Sequence, residues 1–575
     1  MSLDKSWYSV MFSFLQKIYV FLGVFCFVLL PFTAQAQNTN IEQIIDQGFS
    51  QPAPEPATPT DIDTPDLSLD APEGAENVTF FLKDLTIENV TAFKEAELKS
   101  TYADLLDQDI SLKDLYNVAN KITSLYRNNG YILSVAIIPE QDVTEGQATI
   151  EVIEGYISNV TYEGLSTSET STFDIHAQNL KASRPLHIDA LESFVFRLND
   201  FSGLDVEVIL KRSETEFGGT DLVLVSREKK VSGGVTINNR GSRAIGSFQG
   251  LANVQINSLV KKFDTLSLQF ATASQFEELL SVSGEYRLPI YNNFLGLRLG
   301  GQVTTSEPGD DIEAFDFETE TESFFVGFDA ALYRTRNLTA TLIGDIGFRR
   351  SRSEILNSLA SKDRITKANL GLSIDSNDTL LGGNKPASST VSLLASAGLD
   401  LFDASRSGDA DLSRANGDGQ FFTLQLDASR YQNIANNLYL QLATRGQIAS
   451  EALLSSEEIS FGGSQFGRGF IPSEITGDHG IGASLQLDYW TSSKLIPQNI
   501  RTKLYGFYDI ATVRNVETLP GASRSDSLAS AGIGAQAIFP NGMNASLELA
   551  KPLTRDRSDD GDQDLQILFD VGYNF

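Results

Sequence analysis

The chain has 575 residues, with 75 acidic against 44 basic side chains and a formal net charge of −31. A chain this acidic lacks the basic face that nucleic acid requires, so no nucleic-acid partner is expected. Cys26 is the sole cysteine, and the three histidines, His176, His187 and His479, are scattered, so disulfides, thiolate sites and histidine metal centres are not expected.

Ile18 to Leu30 is an unbroken apolar run behind Lys5 and Lys17, followed by Ala34-Gln35-Ala36. Its 13 residues are short for a bilayer span and suit a signal-peptide core, with residues 1–36 removed and Gln37 as the new start. The alternative is an uncleaved anchor. Residues 37–76 are rich in Pro, Asp, Thr and Gln and read as an extended linker. Within them Ile41, Ile44, Ile45 and Phe49 recur at helical spacing, as in a short amphipathic helix that needs a docking site.

Residues 77–155 read as strand, helix, helix, strand, strand. The first strand is expected over Val78 to Ile87, and helices over Lys94 to Leu105 and Leu112 to Asn128. Ser111 is the expected N-cap of the second helix and Gly130 its stop. Strands follow over Tyr131 to Pro139 and Ala148 to Glu154. Residues 156–229 repeat the plan, with strands at Ile157 to Tyr162, Val206 to Lys211 and Asp221 to Ser226 and a helix at Ile188 to Leu198.

From residue 230 helical periodicity vanishes and alternating strands recur. Examples are Val231, Gly233, Val235, Ile237, then Leu438, Leu440, Leu442, then Ile481, Ala483, Leu485, Leu487, Tyr489. A membrane strand takes about 9–11 residues, so residues 230–575 hold sixteen with about ten residues per connection. The end of the chain carries Phe569, Val571, Tyr573 and Phe575 at every second position. An aromatic-rich face opposite Asp570, Gly572 and Asn574 suits a strand between lipid and a polar lumen. An amphipathic strand of a soluble sheet alternates in the same way. A propeller or repeated sandwich does too, but the sequence has no blade-length repeat. The predicted fold is therefore a 16-stranded antiparallel transmembrane β-barrel behind two small α+β domains.

Residues 461–480, FGGSQFGRGFIPSEITGDHG, form the most specific segment. Gly467 and Gly469 flank Arg468, which lets the backbone turn sharply and a guanidinium enter a confined space. Leu504 to Val513 reads as a strand with Tyr505, Phe507 and Asp509 on one face. A carboxylate on a barrel strand points to the lumen, because charge facing lipid is costly. An inward Asp509 and an Arg468 on a re-entrant loop are expected to pair, bidentately where geometry allows. The competing reading is a solvated loop arginine and an ordinary luminal aspartate. Enzyme signatures are lacking: there is no Gly-x-Ser-x-Gly or His-Glu-x-x-His, and Gly532-Ile533-Gly534 precedes no helix. The acidic runs Asp310 to Glu313 and Asp559 to Asp562 read as solvated loops before they read as calcium sites.

Phe466-Gly467-Arg468-Gly469-Phe470 followed by Gly477-Asp478-x-Gly480 resembles the loop motif of two-partner secretion transporters. These are the TpsB-type hemolysin secretion/activation proteins of the outer-membrane protein 85 superfamily. Phe507-Tyr508-Asp509-Ile510-Ala511 resembles that superfamily's Phe-x-Asp-x-Gly strand motif, with Ala511 in place of the last glycine. Tyr126-Arg127-x-x-Gly130-Tyr131 resembles the helix-to-strand junction of a polypeptide-transport-associated (POTRA) domain. Asn239-Arg240-Gly241 with Gly246 resembles the first barrel hairpin, and Ala531-Gly532-x-Gly534 and Ala550-x-Pro552-Leu553 the last strands. The resemblance implies POTRA domains at 77–155 and 156–229 and a barrel at 230–575. It implies a plug helix near Ile41 to Phe49 and a C-terminal barrel signal at Tyr573 and Phe575. It implies a loop in the lumen, carrying Arg468, anchored on a strand by Phe507 and Asp509. The expected activity is export of a large exoprotein bearing an N-terminal secretion domain, with no cofactor, metal or catalysis. Outer-membrane lipid and the barrel assembly machinery are the other expected partners. The alternative is a factor that inserts other barrels; two POTRA units rather than about five favour the secretion branch.

Overall fold

The computed structural model describes residues 69–143, 145–165, 173–290, 294–382, 385–491, 500–518 and 523–575. The expected leader, residues 1–36, and the patch Ile41 to Phe49 lie outside the described residues.

The first α+β unit carries helices α1 (Glu95–Lys99) and α2 (Leu112–Asn128). Ser111 caps α2: its hydroxyl accepts the Asp114 N–H at 3.2 Å, and its own N–H donates to the Asp114 carboxylate at 2.9 Å. Leu115, Val118, Ala119, Ile122 and Tyr126 recur at three- and four-residue steps and form the buried face. Strand Asp84–Glu88 runs parallel to Gln147–Ile153, which pairs antiparallel with Val135–Ile137.

Two expectations change here. The single strand over Val78 to Ile87 is two, Thr79–Leu82 and Asp84–Glu88. The chain changes partner at Lys83, where the N–H groups of Lys83 and Asp84 both donate to the Gly146 carbonyl and the first strand pairs instead with Gln108–Ser111. The helix expected over Lys94 to Leu105 closes at Lys99, because the Ser100 and Thr101 hydroxyls donate back to the Glu97 and Leu98 carbonyls.

The second unit pairs strand Tyr156–Glu163 parallel to Gly219–Glu228, and that strand antiparallel to Leu204–Arg212. Helices α3 (Asp174–Ala182) and α4 (Ile188–Asn199) cover the sheet. Helix α3 escapes the sequence reading, because its DIHAQNLKA has too few apolar residues to show a period. Gly130 joins the two units. It adopts a φ of 87° after α2, its carbonyl accepts the Ile188 N–H at 2.8 Å, and a Cβ there would lie 2.4 Å from His187 Nε2. Tyr126, Tyr131 and Phe93 stack edge to face beside it, with centroids 4.7–5.9 Å apart.

The barrel closes from sixteen antiparallel strands among the described residues, with the last, Gln566–Asn574, paired to the first, Val231–Asn238. Closure pairs the first and last strands over Gly234–Asn238 and Asp570–Asn574, and a closed barrel is how strands cross lipid. Val235, Ile237, Leu485, Leu487, Tyr489, Val571, Tyr573 and Phe575 are exposed on the outer face, while Asp509 and Asp570 are buried on the inner one. The Phe575 N–H donates to the Gly233 carbonyl at 3.0 Å, which ties the final residue to the first strand. The sixth to eighth strands, Phe317–Arg334, Leu338–Ile355 and Ser358–Asp378, run well past the roughly 9–11 residues a membrane requires.

The second unit is docked on the barrel through a barrel turn. Phe263, between strands Gln249–Asn257 and Thr265–Ala273, sits in that unit's core with its ring centroid 4.7 Å from Phe201 and 5.6 Å from Phe173. Ion pairs rim the contact: Arg334 to Asp200 at 2.9 Å, Arg336 to Glu192 at 3.1 Å and Lys262 to Glu228 at 2.8 Å.

Phe263→Ala removes a buried ring and should cost on the order of 3–5 kcal/mol of docking and core stability. Trypsin should then cut faster after Lys229 or Lys230, whose carbonyls accept the Asn257 side-chain and backbone N–H groups at 2.9 and 2.8 Å in the docked structure. Equal protection in both proteins would contradict the docking role.

Glu154 supplies a pH dependence. It accepts the Tyr126 hydroxyl at 2.8 Å, the N–H groups of Thr91 and Ala92 at 2.8 and 2.9 Å, and the Thr91 hydroxyl. Burial pushes the carboxyl up, but these hydrogen bonds outweigh it and leave its pKa below the ordinary carboxylate value. A depressed carboxylate stabilises the fold fully above its unfolded pKa and loses that contribution as pH falls through the folded value. The amide protection factor at residues 89–93, taken against the intrinsic rate at each pH, should fall on acidification below about pH 4, and in Glu154→Gln it should already be low at neutral pH. The same acid response in both proteins would rule out this carboxylate.

Candidate functional site

The eleventh strand, Leu438–Ala449, and the twelfth, His479–Thr491, are joined by a long connection that folds back into the lumen. Its two limbs, Ile459–Phe461 and Ile475–Gly477, pair antiparallel and make a stem. The stem is held by apolar burial: Ile459, Phe461, Phe466, Phe470 and Ile475 pack on Ala511, Val513 and Leu528 of the thirteenth and fourteenth strands. Ala511 takes the place of a glycine in the expected motif, and its methyl is buried in this cluster.

Arg468 sits at the tip of this hairpin. Its Nε and Nη2 donate to Asp509 Oδ2 and Oδ1 at 3.0 and 2.8 Å, a bidentate pair. The backbone N–H groups of Gly467 and Arg468 also reach Asp509 Oδ2, at 3.3 and 3.0 Å. Nη1 donates to Gln486 Oε1 at 2.5 Å and Nη2 to Ser484 Oγ at 3.1 Å. The guanidinium carbon lies 3.5 Å from the centre of the Phe507 ring. Asp509 has no exposed surface and Arg468 is 7% exposed, so the pair is screened little by solvent. Breaking one partner of such a pair costs on the order of 3–5 kcal/mol, because the survivor stays buried without compensation.

Gly469 shows how closely the tip meets the wall. A Cβ there would lie 2.8 Å from both the Lys551 carbonyl carbon and the Pro552 nitrogen, which belong to the backbone of the fifteenth strand, Met543–Pro552. Only a residue without a side chain fits.

A second clamp fixes the base of the hairpin. The fully buried Asp478 accepts Arg414 Nη1 and Nη2 at 2.5 and 3.0 Å, the Leu453 N–H at 2.7 Å and the Val516 N–H at 2.8 Å. The part of the connection 405–419 around Arg414 therefore packs on the hairpin base, while residues 406–411 stay exposed. Glu457 accepts Arg349 at 3.2 Å and Lys367 at 2.8 Å, which ties the loop to the seventh and eighth strands. Asp559 and Asp560 are likewise ion-paired, each accepting Arg557 at 2.8 Å. No cluster of three metal-ligating side chains occurs among the described residues.

The structure thus brings Gly467, Arg468, Gly469, Phe470, Phe507 and Asp509 to one place on the inner wall. Gly477 ends the returning limb, and Gly480 pairs with Val513 on the wall. Tyr126, Gly130 and Tyr131 lie at the junction of the α+β units, and Tyr573 and Phe575 face outward on the last strand. Sequence reasoning misses Ser484 and Gln486. Their signal is the inward register of a strand whose Leu485 and Leu487 point to lipid. It also misses Arg414, whose flexible-looking surroundings give no cue. Beside the tip, a luminal cavity of about 520 Å³ has Arg445, Ser464, Gln486, Lys503, Tyr505 and Glu548 in its lining.

The family model of the haemolysin secretion/activation protein ShlB/FhaC/HecB matches residues 218–537, and that of the ShlB-type POTRA domain matches residues 80–155. The chain belongs to the ShlB/FhaC/HecB haemolysin secretion/activation family, as an outer-membrane β-barrel with POTRA structure on its periplasmic side. It is 26% identical over 214 residues to the heme/hemopexin transporter protein HuxB of Haemophilus influenzae (strain 86-028NP), a match that spans 36% of this chain and 38% of that protein. It is 21% identical over 480 residues to the outer membrane transporter CdiB of Dickeya dadantii (strain 3937), covering 80% of this chain and 82% of that one. Among solved structures, CdiB from Escherichia coli superposes with a TM-score of 0.63 at 19% identity, covering 89% of this chain and 93% of that one. BamA from Haemophilus ducreyi lacking POTRA domains 1–3 gives 0.54 at 17% identity, covering 86% and 100%.

Gly469→Val leaves every charge in place and should still expel the tip, because the new side chain meets backbone. A Ser464→Cys reporter beside Arg468 should then react with a maleimide roughly tenfold faster, the scale of losing a charged hydrogen bond. An unchanged rate would mean that the tip is not seated against the fifteenth strand.

Proposed function

We propose that this protein exports a partner exoprotein through its barrel, with the two α+β units receiving the unfolded chain in the periplasm. The observation that carries the reading is the re-entrant hairpin, held in the lumen by the buried Arg468–Asp509 pair. A structural pore needs no such device, whereas a conduit that must open for a chain and close after it does. Relatives named as transporters support the same direction.

The geometry suggests the steps. Residues 156–229 are read as a second POTRA unit. The strands Tyr156–Glu163 and Leu204–Arg212 lie at the two edges of its sheet, and Asp84–Glu88 and Val135–Ile137 at the edges of the first unit's three-stranded sheet. Edge strands offer unpaired N–H and C=O groups that an extended chain can meet by β-augmentation. Phe263 and its ion pairs hold the second unit at the barrel mouth, so captured chain is delivered to the lumen. The polar side chains in the lining beside Arg468 give the passing backbone hydrogen-bonding partners. The hairpin is the movable part: its limbs are short and its grip is concentrated in Arg468, Asp478 and the apolar stem. A plug helix formed by Ile41 to Phe49 fits the same scheme. No residue is assigned to catalysis. The outward Tyr573 and Phe575 are read as the mark by which the barrel assembly machinery inserts the chain.

Co-expression of this protein with an exoprotein carrying an N-terminal secretion domain should place that exoprotein in the medium, and deletion of residues 77–229 should retain it in the periplasm. Loss of other outer-membrane barrels on depletion, with exoprotein release intact, would instead support an assembly factor.

A further inference from the structure

The Arg468–Asp509 pair is part of a larger buried array. Arg240 lies just after the first strand, in the hairpin to Gln249–Asn257. Its Nε and Nη2 donate to Asp570 of the last strand at 3.1 and 2.9 Å, and its Nη1 to Glu548 Oε1 of the fifteenth strand at 3.3 Å. The other oxygen of Glu548 lies 3.8 Å from Arg468 Nη1 and accepts the Tyr505 hydroxyl at 3.1 Å. The side chains of Arg240, Glu548 and Asp570 are 4%, 2% and 8% exposed. One carboxylate therefore stands between two buried guanidiniums, each with a bidentate aspartate of its own.

The backbone explains why a side chain is needed there. First and last strands share register from Asn238 opposite Asp570 to Gly234 opposite Asn574, and on the Asn238 side the ladder goes no further. Beyond it, Asn239 takes over: its Nδ2 donates to the Ile567 carbonyl at 2.9 Å and its Oδ1 accepts the Phe569 N–H at 2.8 Å. Arg240 turns inward at this same point, where barrel closure passes from backbone to side chains.

We infer that Arg240 is a positioning residue for the luminal hairpin: it fixes Glu548, and through Glu548 it fixes the place of the Arg468 guanidinium. Without Arg240, Glu548 faces Arg468 alone and shifts toward it, drawing the guanidinium off the plane of Asp509. Charge balance gives the direction, since Glu548 then has one cation in place of two. The inference rests on the export reading only for its secretion readout.

The test uses the full chain in outer membranes, with Ser464→Cys as maleimide reporter at the hairpin tip and Thr304→Cys as a second buried reporter away from the array. Arg240→Ala should speed labelling at Ser464→Cys roughly tenfold while labelling at Thr304→Cys stays within about twofold. Arg240→Lys, which keeps the charge, should restore most of the protection. In a Glu548→Gln background, Arg240→Ala should add no further change, because the link is already cut. Unchanged labelling at Ser464→Cys, equal acceleration at both reporters, or additive effects with Glu548→Gln would each overturn the inference and leave the export reading standing. Normal secretion by Arg468→Ala would sink the hairpin's part in export without touching the labelling result.

Discussion

A guanidinium buried inside a membrane barrel governs this structure. Arg468 has to be carried into the lumen on a loop, deprived of most of its water and given a carboxylate in return. Each requirement is visible in what surrounds it. Glycines on both sides let the tip approach the wall, and an inward-facing Asp509 waits on the thirteenth strand. Ser484 and Gln486 on the twelfth strand accept two more of the guanidinium N–H groups. Buried charge of this kind is weak evidence for stability, since apolar packing of similar shape often serves as well. Under the export proposal, the pair holds one arrangement of the hairpin and releases it as a unit.

That explanation fits how the rest of the molecule is held. The barrel wall depends on its own continuous ladder and would persist with the hairpin displaced. The α+β units have separate apolar cores, and Phe263 joins the second of them to the wall. Rigid parts thus surround one element whose attachment is concentrated in a few charged contacts and an apolar stem. A change of position in the lumen can occur there without unfolding anything else.

Much of this was legible in the sequence, for physical reasons that differ by region. Period-two alternation is the direct imprint of a wall with lipid on one side and water on the other, so Leu485, Leu487 and Tyr489 announced their strand. The helix Leu112–Asn128 was readable because its cap, its apolar stripe and its stop all agree. The Arg468–Asp509 pairing was expected because a charge on a membrane strand has one tolerable direction. Other features gave no local signal. Helix α3 has too little apolar surface to show a period. The division at Lys83 reflects competition between two partner strands far apart in sequence. Arg414 reaches Asp478 from a stretch rich in Gly, Asp and Ser, the composition of a solvated loop. Arg240 could be noted in a hairpin motif, but its link to Glu548 and Asp570 depends on barrel closure, which no window of sequence contains.

The central claim is that Arg468 and Asp509 act as one anchor whose state controls passage through the lumen. A double-mutant cycle on exoprotein release tests it most directly, with Arg468→Ala, Asp509→Ala and the pair compared at matched levels of heat-modifiable barrel. If the two residues form one anchor, each single substitution should cut release strongly and the double should be no worse than either. Additive losses, or full release from either single variant, would contradict it.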